Sequence, residues 1–180
     1  AEAVGLDKRL CFDSLLSAVR AVKADFVIDV TVPEAHAAVT CEALRAGLPV
    51  LGEKPMAESM VSARRMVAAS EETGKLYMVS QSRRYDPIHV ATRDLLASGT
   101  VGDLTTINCD FYVGAHFGGF RDEMNSPLIV DMAIHHFDMA RFMTGADAKS
   151  VYAYEFNPKG SWYRGDVSAS VIFEMTNGIV

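Results

Sequence analysis

The tripeptide Glu53-Lys54-Pro55 is the first group of residues in this sequence that could do chemistry. It follows a short apolar strand predicted at residues 49–51. Ligands of open α/β sheets bind beyond the carboxyl ends of the strands, and a lysine ammonium there supplies a positive charge and three hydrogen-bond donors. The alternative is a surface lysine in a turn, because so short a motif is common.

A second candidate lies at the end of the preceding predicted strand. The run from Thr31 through Pro33 to His36 joins that strand to a helix, again at the carboxyl edge. A histidine in this place could contact a ligand or could be an ordinary packing or solvent-facing residue.

A third candidate is a set of polar residues within a strongly apolar helix predicted at residues 128–144. The spacings of four and three place Asp131, His135 and Asp138 on one helical face. A buried carboxylate is costly unless it is paired or faces a wet cleft. This face therefore either lines a cavity or forms a structural Asp–His hydrogen bond, with Asp138 paired to Arg141 three residues later.

Two other segments offer polar side chains. Gln81 and Arg84 lie at the expected junction of two domains, where an arginine could hold a phosphate, a substrate carboxylate or an acid of the other domain. His116 and Arg121 belong to a glycine-containing loop that could cover a pocket or simply connect two elements. Asp131, His135 and Asp138 are possible metal ligands, but no His-rich or Cys-rich cluster supports a metal site, so none is predicted.

The elements that must position these residues change character near residue 81. Helices predicted at 14–24, 35–46 and 59–73 alternate with strands at 26–31, 49–51 and 76–80. This alternation predicts a doubly wound parallel α/β sheet, with strand 26–31 apolar enough to be buried on both faces. Beyond it come helices at 87–98 and 128–144 and strands at 104–113, 151–156 and 167–175, which predict an α+β domain with a largely antiparallel open sheet.

The bulk composition excludes several classes of partner. The 180 residues are 49% hydrophobic and 22% charged, with a formal net charge of -6, which argues against nucleic acid or an anionic membrane as partner. No apolar run has the length of a membrane span. The three cysteines have no metal-binding or disulfide spacing, and we expect buried free thiols in a cytoplasmic protein.

Both ends of the sequence suggest a fragment of a longer protein. No G-x-G-x-x-G is present, although a dinucleotide domain carries these glycines on its first strand-to-helix turn. The hairpin signal Asn177-Gly178 is followed by only two residues. We therefore expect that this piece alone is inactive.

Taken in order, three segments resemble the Gfo/Idh/MocA family of oxidoreductases. They are residues 37–55, AAVTCEALRAGLPVLGEKP; residues 81–87, QSRRYDP; and residues 128–145, LIVDMAIHHFDMARFMTG. The last is similar to the family's Asp-x-Gly-x-His-x-x-Asp signature, with Ala133 in place of the glycine. The segment 32–36 is shorter than the family's usual Thr-Pro-Asn-x-x-His form.

The resemblance implies a fold, a cofactor and a set of site residues. Residues 1–81 would be the C-terminal part of a Rossmann domain, lacking its first strands and glycine loop, and residues 82–180 part of a substrate-binding and oligomerisation domain. The cofactor would be NAD or NADP, the partner a sugar or polyol substrate, and the protein a homo-oligomer. The Lys54–Pro55 peptide would be cis. The catalytic residues would be Lys54, Asp131 and His135, and the cofactor-binding residues would be Thr31, Pro33, His36, Glu53, Lys54, Gln81 and Arg84.

Secondary-alcohol oxidation is the chemistry that fits these residues. His135 would be the general base, Asp131 would orient it or bind substrate, and Lys54 would stabilise developing alkoxide charge. Two other functions stay open from the sequence: a non-catalytic ligand- or NAD-binding regulator on the same fold, and a metal-dependent hydrolase or isomerase.

Overall fold

The chain divides into two compact units, one ending at Ser80 and the other beginning at Gln81. A computed structural model describes residue 5 and residues 7–180. None of the helices in this described part is both long and apolar enough to cross a bilayer.

The first unit is built on a three-stranded parallel sheet. Its strands are β1 (Val27–Asp29), β2 (Val50–Gly52) and β3 (Tyr77–Val79), in the order β1-β2-β3. Three helices accompany them, α1 (Leu15–Ala21), α2 (Pro33–Arg45) and α3 (Met60–Thr73), after a short 3-10 turn at Lys8–Leu10. The parallel α/β sheet predicted from the sequence is confirmed for these strands.

The core of this unit lies between the sheet and two helices. α2 and α3 pack on each other and on the sheet face that carries Val50. Ser59 caps the start of α3 by accepting a hydrogen bond from Ser62 N, and Gly74 ends the helix with φ of 64°. The buried apolar side chains of this core are Ala37, Cys41, Ala43, Leu44, Val50, Met66 and Ala69.

The prediction that strand 26–31 is buried on both faces is wrong. Ile28 is 57% exposed, and its register partner Leu51 and then Met78 are exposed as well. The reason is that α2 and α3 cover the opposite face of the sheet, so these three apolar side chains form an open row. The cysteine prediction is also wrong in part, because only Cys41 is buried while Cys11 and Cys109 are exposed.

The second unit combines two helices with an antiparallel pair of strands. The helices are α4 (Pro87–Ala97) and α5 (Ile134–Thr144), and β4 (Ala148–Phe156) pairs with β5 (Ser168–Met175). Short 3-10 helices lie at Ser82–Tyr85 and Gly119–Glu123. Phe137 of α5 contacts Phe173 of β5 edge-on, with ring centroids 5.2 Å apart, so the helix packs on one face of this sheet. The predicted antiparallel α+β character is confirmed.

The strand predicted at residues 104–113 is not formed. Its backbone makes two hydrogen bonds to the last residue, Ile107 N to Val180 O at 2.9 Å and Val180 N to Thr105 O at 3.2 Å. The turn at Asn177-Gly178 brings Val180 back to this segment. A β-prone sequence becomes a strand only where a neighbouring backbone runs beside it over several residues, and here the backbone hydrogen bonds reach a single residue.

The helix predicted as continuous over 128–144 is interrupted near its start. Leu128–Met132 is a π-helical turn, and α5 begins only at Ile134. Ala133 N donates to Leu128 O, five residues back, at 2.6 Å. A π-turn inserts an extra residue into the helical repeat, so the spacing of Asp131 and His135 is not that of a regular α-helix, and such turns are frequent at functional sites.

Candidate functional site

The carboxyl edge of the parallel sheet carries the first group of predicted site residues. Because β1 and β2 are parallel and adjacent, the segments that follow them, Val30–Val32 and Glu53–Pro55, leave the sheet at the same edge. Thr31 is exposed between two exposed valines, whereas Glu53 and Lys54 are half-buried. Parallel α/β sheets bind their ligands at this edge.

A buried carboxylate organises the turn after β1. Asp29 is 1% exposed and accepts hydrogen bonds from Thr31 N at 3.1 Å, Thr31 Oγ1 at 2.6 Å and Thr40 Oγ1 at 3.0 Å. Three donors compensate the loss of water around the carboxylate. The turn that presents Thr31 is therefore fixed to the end of β1 and to the middle of α2.

His36 ties together the two segments at this edge. Its Nε2 lies 2.8 Å from Thr31 O and its Nδ1 lies 3.0 Å from Pro55 O. The ring is 1% exposed and lies in the first turn of α2, which begins at the buried Pro33. The histidine thus contacts the backbones of both edge segments and presents almost no surface to solvent.

The Glu53-Lys54-Pro55 turn continues directly from β2. Glu53 N still donates to Asp29 O at 2.9 Å, and the Glu53 carboxylate accepts from Lys54 N at 3.0 Å. The Lys54–Pro55 peptide is cis, as the family resemblance implied. These bonds hold the backbone of Lys54 close to the sheet edge.

Gly52, just before this turn, leaves room for the ring of Tyr77 on β3. A Cβ at position 52 would lie 3.2 Å from Tyr77 Cε2 and 3.3 Å from its hydroxyl oxygen. The Tyr77 hydroxyl is buried with no hydrogen-bond partner among the described residues. Burial first, and then the nearby Asp29 charge, raise the pKa of Tyr77 to about 12.

His135, in the second unit, is held by an amide side chain. Its Nδ1 lies 3.1 Å from Gln81 Oε1. An amide oxygen only accepts hydrogen bonds, so Nδ1 carries the proton and Nε2 keeps its lone pair. The contact selects the tautomer in which Nε2 can act as a base.

Asp131, in the π-turn, is buried and bound to an arginine. It is 1% exposed, and Arg121 Nε donates to its Oδ2 at 2.6 Å. The guanidinium of Arg121 also lies over the ring of Phe120, 4.6 Å from the centroid, and near that of Phe117, at 5.6 Å. A charged donor at this distance favours the ionised form of a buried carboxylate.

Asp138 binds Arg84 instead of the neighbour expected from the sequence. Arg84 Nε donates to Asp138 Oδ2 at 3.0 Å and its Nη2 donates to Oδ1, which makes a two-point pair. The Asp138–Arg141 pair, one of the alternatives left open by the sequence, is not formed, because Arg141 binds Asp147, with Nε to Oδ1 at 2.8 Å. Asp138 raises the pKa of the Arg84 guanidinium above its ordinary value. The pair holds the 3-10 turn that follows Gln81 against α5.

Two other histidines of the second unit have structural surroundings. His116 Nε2 lies 3.1 Å from both oxygens of Asp122, and its ring stacks on Trp162 at 5.1 Å between centroids. His136 packs against Phe111 at 4.3 Å. Burial, and then the Arg83 charge, lower the pKa of His136 below its ordinary value. Within residues 7–180 no three His, Cys, Asp or Glu side chains are grouped so that they could hold a metal ion.

The structure brings some predicted residues together and adds two features that the sequence did not indicate. Thr31, His36, Glu53 and the Lys54 backbone share the edge of the first unit, and Gln81 and His135 are in contact in the second. The additions are the role of Arg121 as partner of Asp131 and the π-turn that carries Asp131. The glycine pair Gly118-Gly119 marks Arg121 as a loop residue, but no local signal indicates its partner.

Two family models match nearly the whole chain. The first, described as the oxidoreductase family with an NAD-binding Rossmann fold, matches residues 1–81. The second, the GFO/IDH/MocA C-terminal domain, matches residues 89–180.

Similar proteins of named activity are sugar and polyol oxidoreductases. An inositol 2-dehydrogenase from Rubrobacter xylanophilus is 32% identical over 152 residues, which is 81% of this chain and 42% of that protein. A 1,5-anhydro-D-fructose reductase from Ensifer adhaerens is 33% identical over 134 residues, 72% of this chain and 40% of that protein. The chain spans about half the length of the curated relatives that it matches or less.

A solved structure shows the same fold with a ligand bound. It is an oxidoreductase from Agrobacterium radiobacter in complex with NAD+, L-tartaric acid and magnesium. Its identity to this chain is 26% and its TM-score 0.80, with 92% of this chain and 49% of that chain covered. Together with the two family models, this places the sequence: the chain belongs to the Gfo/Idh/MocA family of oxidoreductases.

Proposed function

We propose that the natural protein oxidises a secondary hydroxyl of a sugar or cyclic polyol, or reduces the matching ketone, with NAD or NADP. The observation that carries this proposal is the contact of His135 Nδ1 with Gln81 Oε1, since it leaves Nε2 as the proton acceptor that alcohol oxidation requires. The named relatives, an inositol dehydrogenase and an anhydrofructose reductase, support the substrate class.

The residues of the first unit fit the nicotinamide end of such a cofactor. The sheet edge offers an open apolar surface at Val30 and Val32, with Thr31, Glu53 and Lys54 as polar side chains beside it. A flat aromatic ring that carries an amide, such as nicotinamide, fits such a surface. The glycine-rich turn that would hold the pyrophosphate is not in this sequence. His36 and Pro33 are buried, so we assign them to holding the backbones of Thr31 and Pro55 in place. Arg84 is already bound to Asp138, so we assign it to holding the turn after Gln81.

The chain's own residues would share the proton chemistry. NAD or NADP, when bound, supplies the hydride acceptor. His135 removes the hydroxyl proton at Nε2, and the Gln81 carbonyl keeps the ring in the required tautomer and stabilises the imidazolium that results. The Lys54 ammonium stabilises the developing alkoxide charge. Asp131, held as a carboxylate by Arg121, orients the substrate or the histidine.

We also propose that the protein works in the cytoplasm as a homo-oligomer. One face of the β4–β5 pair carries exposed apolar side chains, Tyr152, Tyr154 and Ile172, while the other face packs on α5. An exposed patch of this kind is typical of a protein interface. Light scattering of the natural protein measures its mass directly, and a monomeric mass would contradict the proposal.

The experiment that tests the activity is steady-state kinetics with NAD and NADP against a panel of inositols and sugars. In the Lys54→Met variant we expect kcat to fall on the order of a hundredfold or more, because an electrostatic stabiliser of the alkoxide is lost. Lys23→Met, which alters an exposed lysine of the same unit, is the matched control and should keep its rate. Absence of any turnover with bound dinucleotide would favour a regulatory role, and an unchanged rate in Lys54→Met would remove this lysine from the mechanism.

A further inference from the structure

We propose that Arg121 is a positioning residue for the reaction: it keeps Asp131 ionised and fixes the direction in which this buried carboxylate points. The proposal rests on the function proposed above, in which Asp131 belongs to the reacting set. It concerns a residue of the 3-10 turn at Gly119–Glu123, outside the three segments whose motifs resemble those of the family.

The first support is the burial of both partners. Asp131 is 1% exposed, and a carboxylate so deep in a protein is stable in its charged form only with a close opposite charge or several donors. Arg121 Nε donates to Asp131 Oδ2 at 2.6 Å, and the arginine side chain itself is only 28% exposed. This is therefore not one of the solvent-screened surface pairs that contribute little.

The second support is the way in which the arginine is held. Its guanidinium lies over the ring of Phe120 and near that of Phe117, 4.6 and 5.6 Å from their centroids. An arginine stacked on aromatic rings has lost most of its conformational freedom before it binds the carboxylate. The short turn that carries it follows Gly118 and begins at Gly119, both with φ of 69°, a backbone conformation that favours glycine.

The third support is the backbone around Asp131. The carboxylate projects from a π-helical turn, where the ordinary helical repeat does not set its direction. A contact from outside the helix can then help to set where the carboxylate points. Arg121 supplies that contact ten residues earlier in the chain.

Three variants of the natural protein test the kinetic consequence. In Arg121→Met we expect kcat to fall about tenfold to a hundredfold with little change in KM, since a displaced catalytic group slows chemistry more than binding. Arg121→Lys, which keeps the charge, should recover part of the rate. In the double variant Arg121→Met/Asp131→Asn the losses should not add, because both changes remove the same interaction.

The pH profile separates positioning from simple structural support. Without the guanidinium the buried carboxylate binds a proton more readily, so the acidic limb of kcat/KM should move to higher pH in Arg121→Met and return toward the wild-type position in Arg121→Lys. The matched control is Arg164→Met, which breaks a pair with Glu123 of the same turn. Those two side chains are 77% and 70% exposed, so rate and profile should not change.

A stability measurement tests the pair without any turnover. Arg121→Met removes a charged donor from a buried carboxylate and should lower Tm, and adding Asp131→Asn, which removes the carboxylate charge, should then raise it again. If the wild-type protein is inactive with every substrate, the proposed function fails. The comparison of Tm among the wild type, Arg121→Met and the double variant still tests the ion pair. Additive rate losses, a raised KM with unchanged kcat, or a Tm of the double variant below that of Arg121→Met would each overturn the proposal.

Discussion

The contact between Gln81 and His135 gives a sharp prediction about the base of the reaction. In Gln81→Leu the acceptor for Nδ1–H is removed, so the ring can rotate and can exchange its tautomers. A hydrogen bond between two uncharged groups contributes about 0.5–1.5 kcal/mol net. Since about 1.4 kcal/mol corresponds to a factor of ten, kcat should fall about twofold to about thirteenfold.

Gln81→Glu should act on the pH profile instead. A carboxylate facing Nδ1 stabilises the imidazolium by about 1–1.5 kcal/mol more than the amide does, because bonds to charged acceptors are stronger. One pH unit corresponds to about 1.4 kcal/mol, so the rising limb of alcohol oxidation should move about one unit upward. The base must be neutral to accept a proton, which fixes the direction of the shift.

The assay is kcat and kcat/KM against pH for the wild-type protein, both Gln81 variants and His135→Asn. Asn157→Leu is the matched control, since Asn157 is an exposed amide of the same unit that donates to Tyr163 O at 2.9 Å. Its profile should equal that of the wild type, and His135→Asn should lose the rising limb. A limb that stays in place in Gln81→Glu, or that survives in His135→Asn, would show that another group is the base.

Two further predictions concern stability. Asp138→Asn should lower the free energy of unfolding by about 2 kcal/mol, because it weakens a two-point charged pair whose side chains are only 30% and 11% exposed. Asp147→Asn, which alters an exposed pair, should change the free energy of unfolding by less than about 1 kcal/mol. Urea unfolding compares the two variants, and equal effects would contradict the reasoning. Tyr77→Phe removes a buried hydroxyl without a partner and should stabilise the protein by about 1 kcal/mol at neutral pH. The pKa of Tyr77 is raised from 10.0 to about 12, so the unfolded state loses its proton first and the free energy of unfolding falls as pH rises from 10 to 12. Unfolding measured across this range should show that fall in the wild type and not in Tyr77→Phe.

Much of the edge of the first unit could be predicted because local sequence determines it. Short β-branched runs alternate with helical patterns, and parallel strands place their following segments at one edge, so Thr31 and Lys54 had to leave the sheet on the same side. The cis peptide at Lys54–Pro55 followed from the family resemblance. These features depend on residues close in sequence or on the direction of neighbouring strands.

The features that were predicted wrongly depend on what lies beside a segment. The apolar run at 26–31 has the composition of a strand covered on both faces, yet Ile28 is exposed because the helices of its unit cover the other face. Residues 104–113 have strand-like composition but bond only to Val180. Composition indicates which secondary structure and burial a segment favours. The neighbouring parts of the chain determine whether that strand forms and which of its faces is covered.

The pairing of the acidic residues near α5 follows burial and not sequence spacing. Asp138 lies three residues from Arg141, a favourable helical spacing, but the two do not pair. Asp138 is 11% exposed and binds Arg84, which is 30% exposed, while Arg141 and Asp147 are 57% and 70% exposed and bind each other. A surface arginine such as Arg141 could reach a buried carboxylate only by losing its hydration. Arg84 packs on Phe142 and has already lost part of its hydration. The same reasoning explains why Asp131 is bound by an arginine stacked on phenylalanine rings: a buried carboxylate is paired with a cation that packing has already desolvated, and such a partner can come from any distance along the chain.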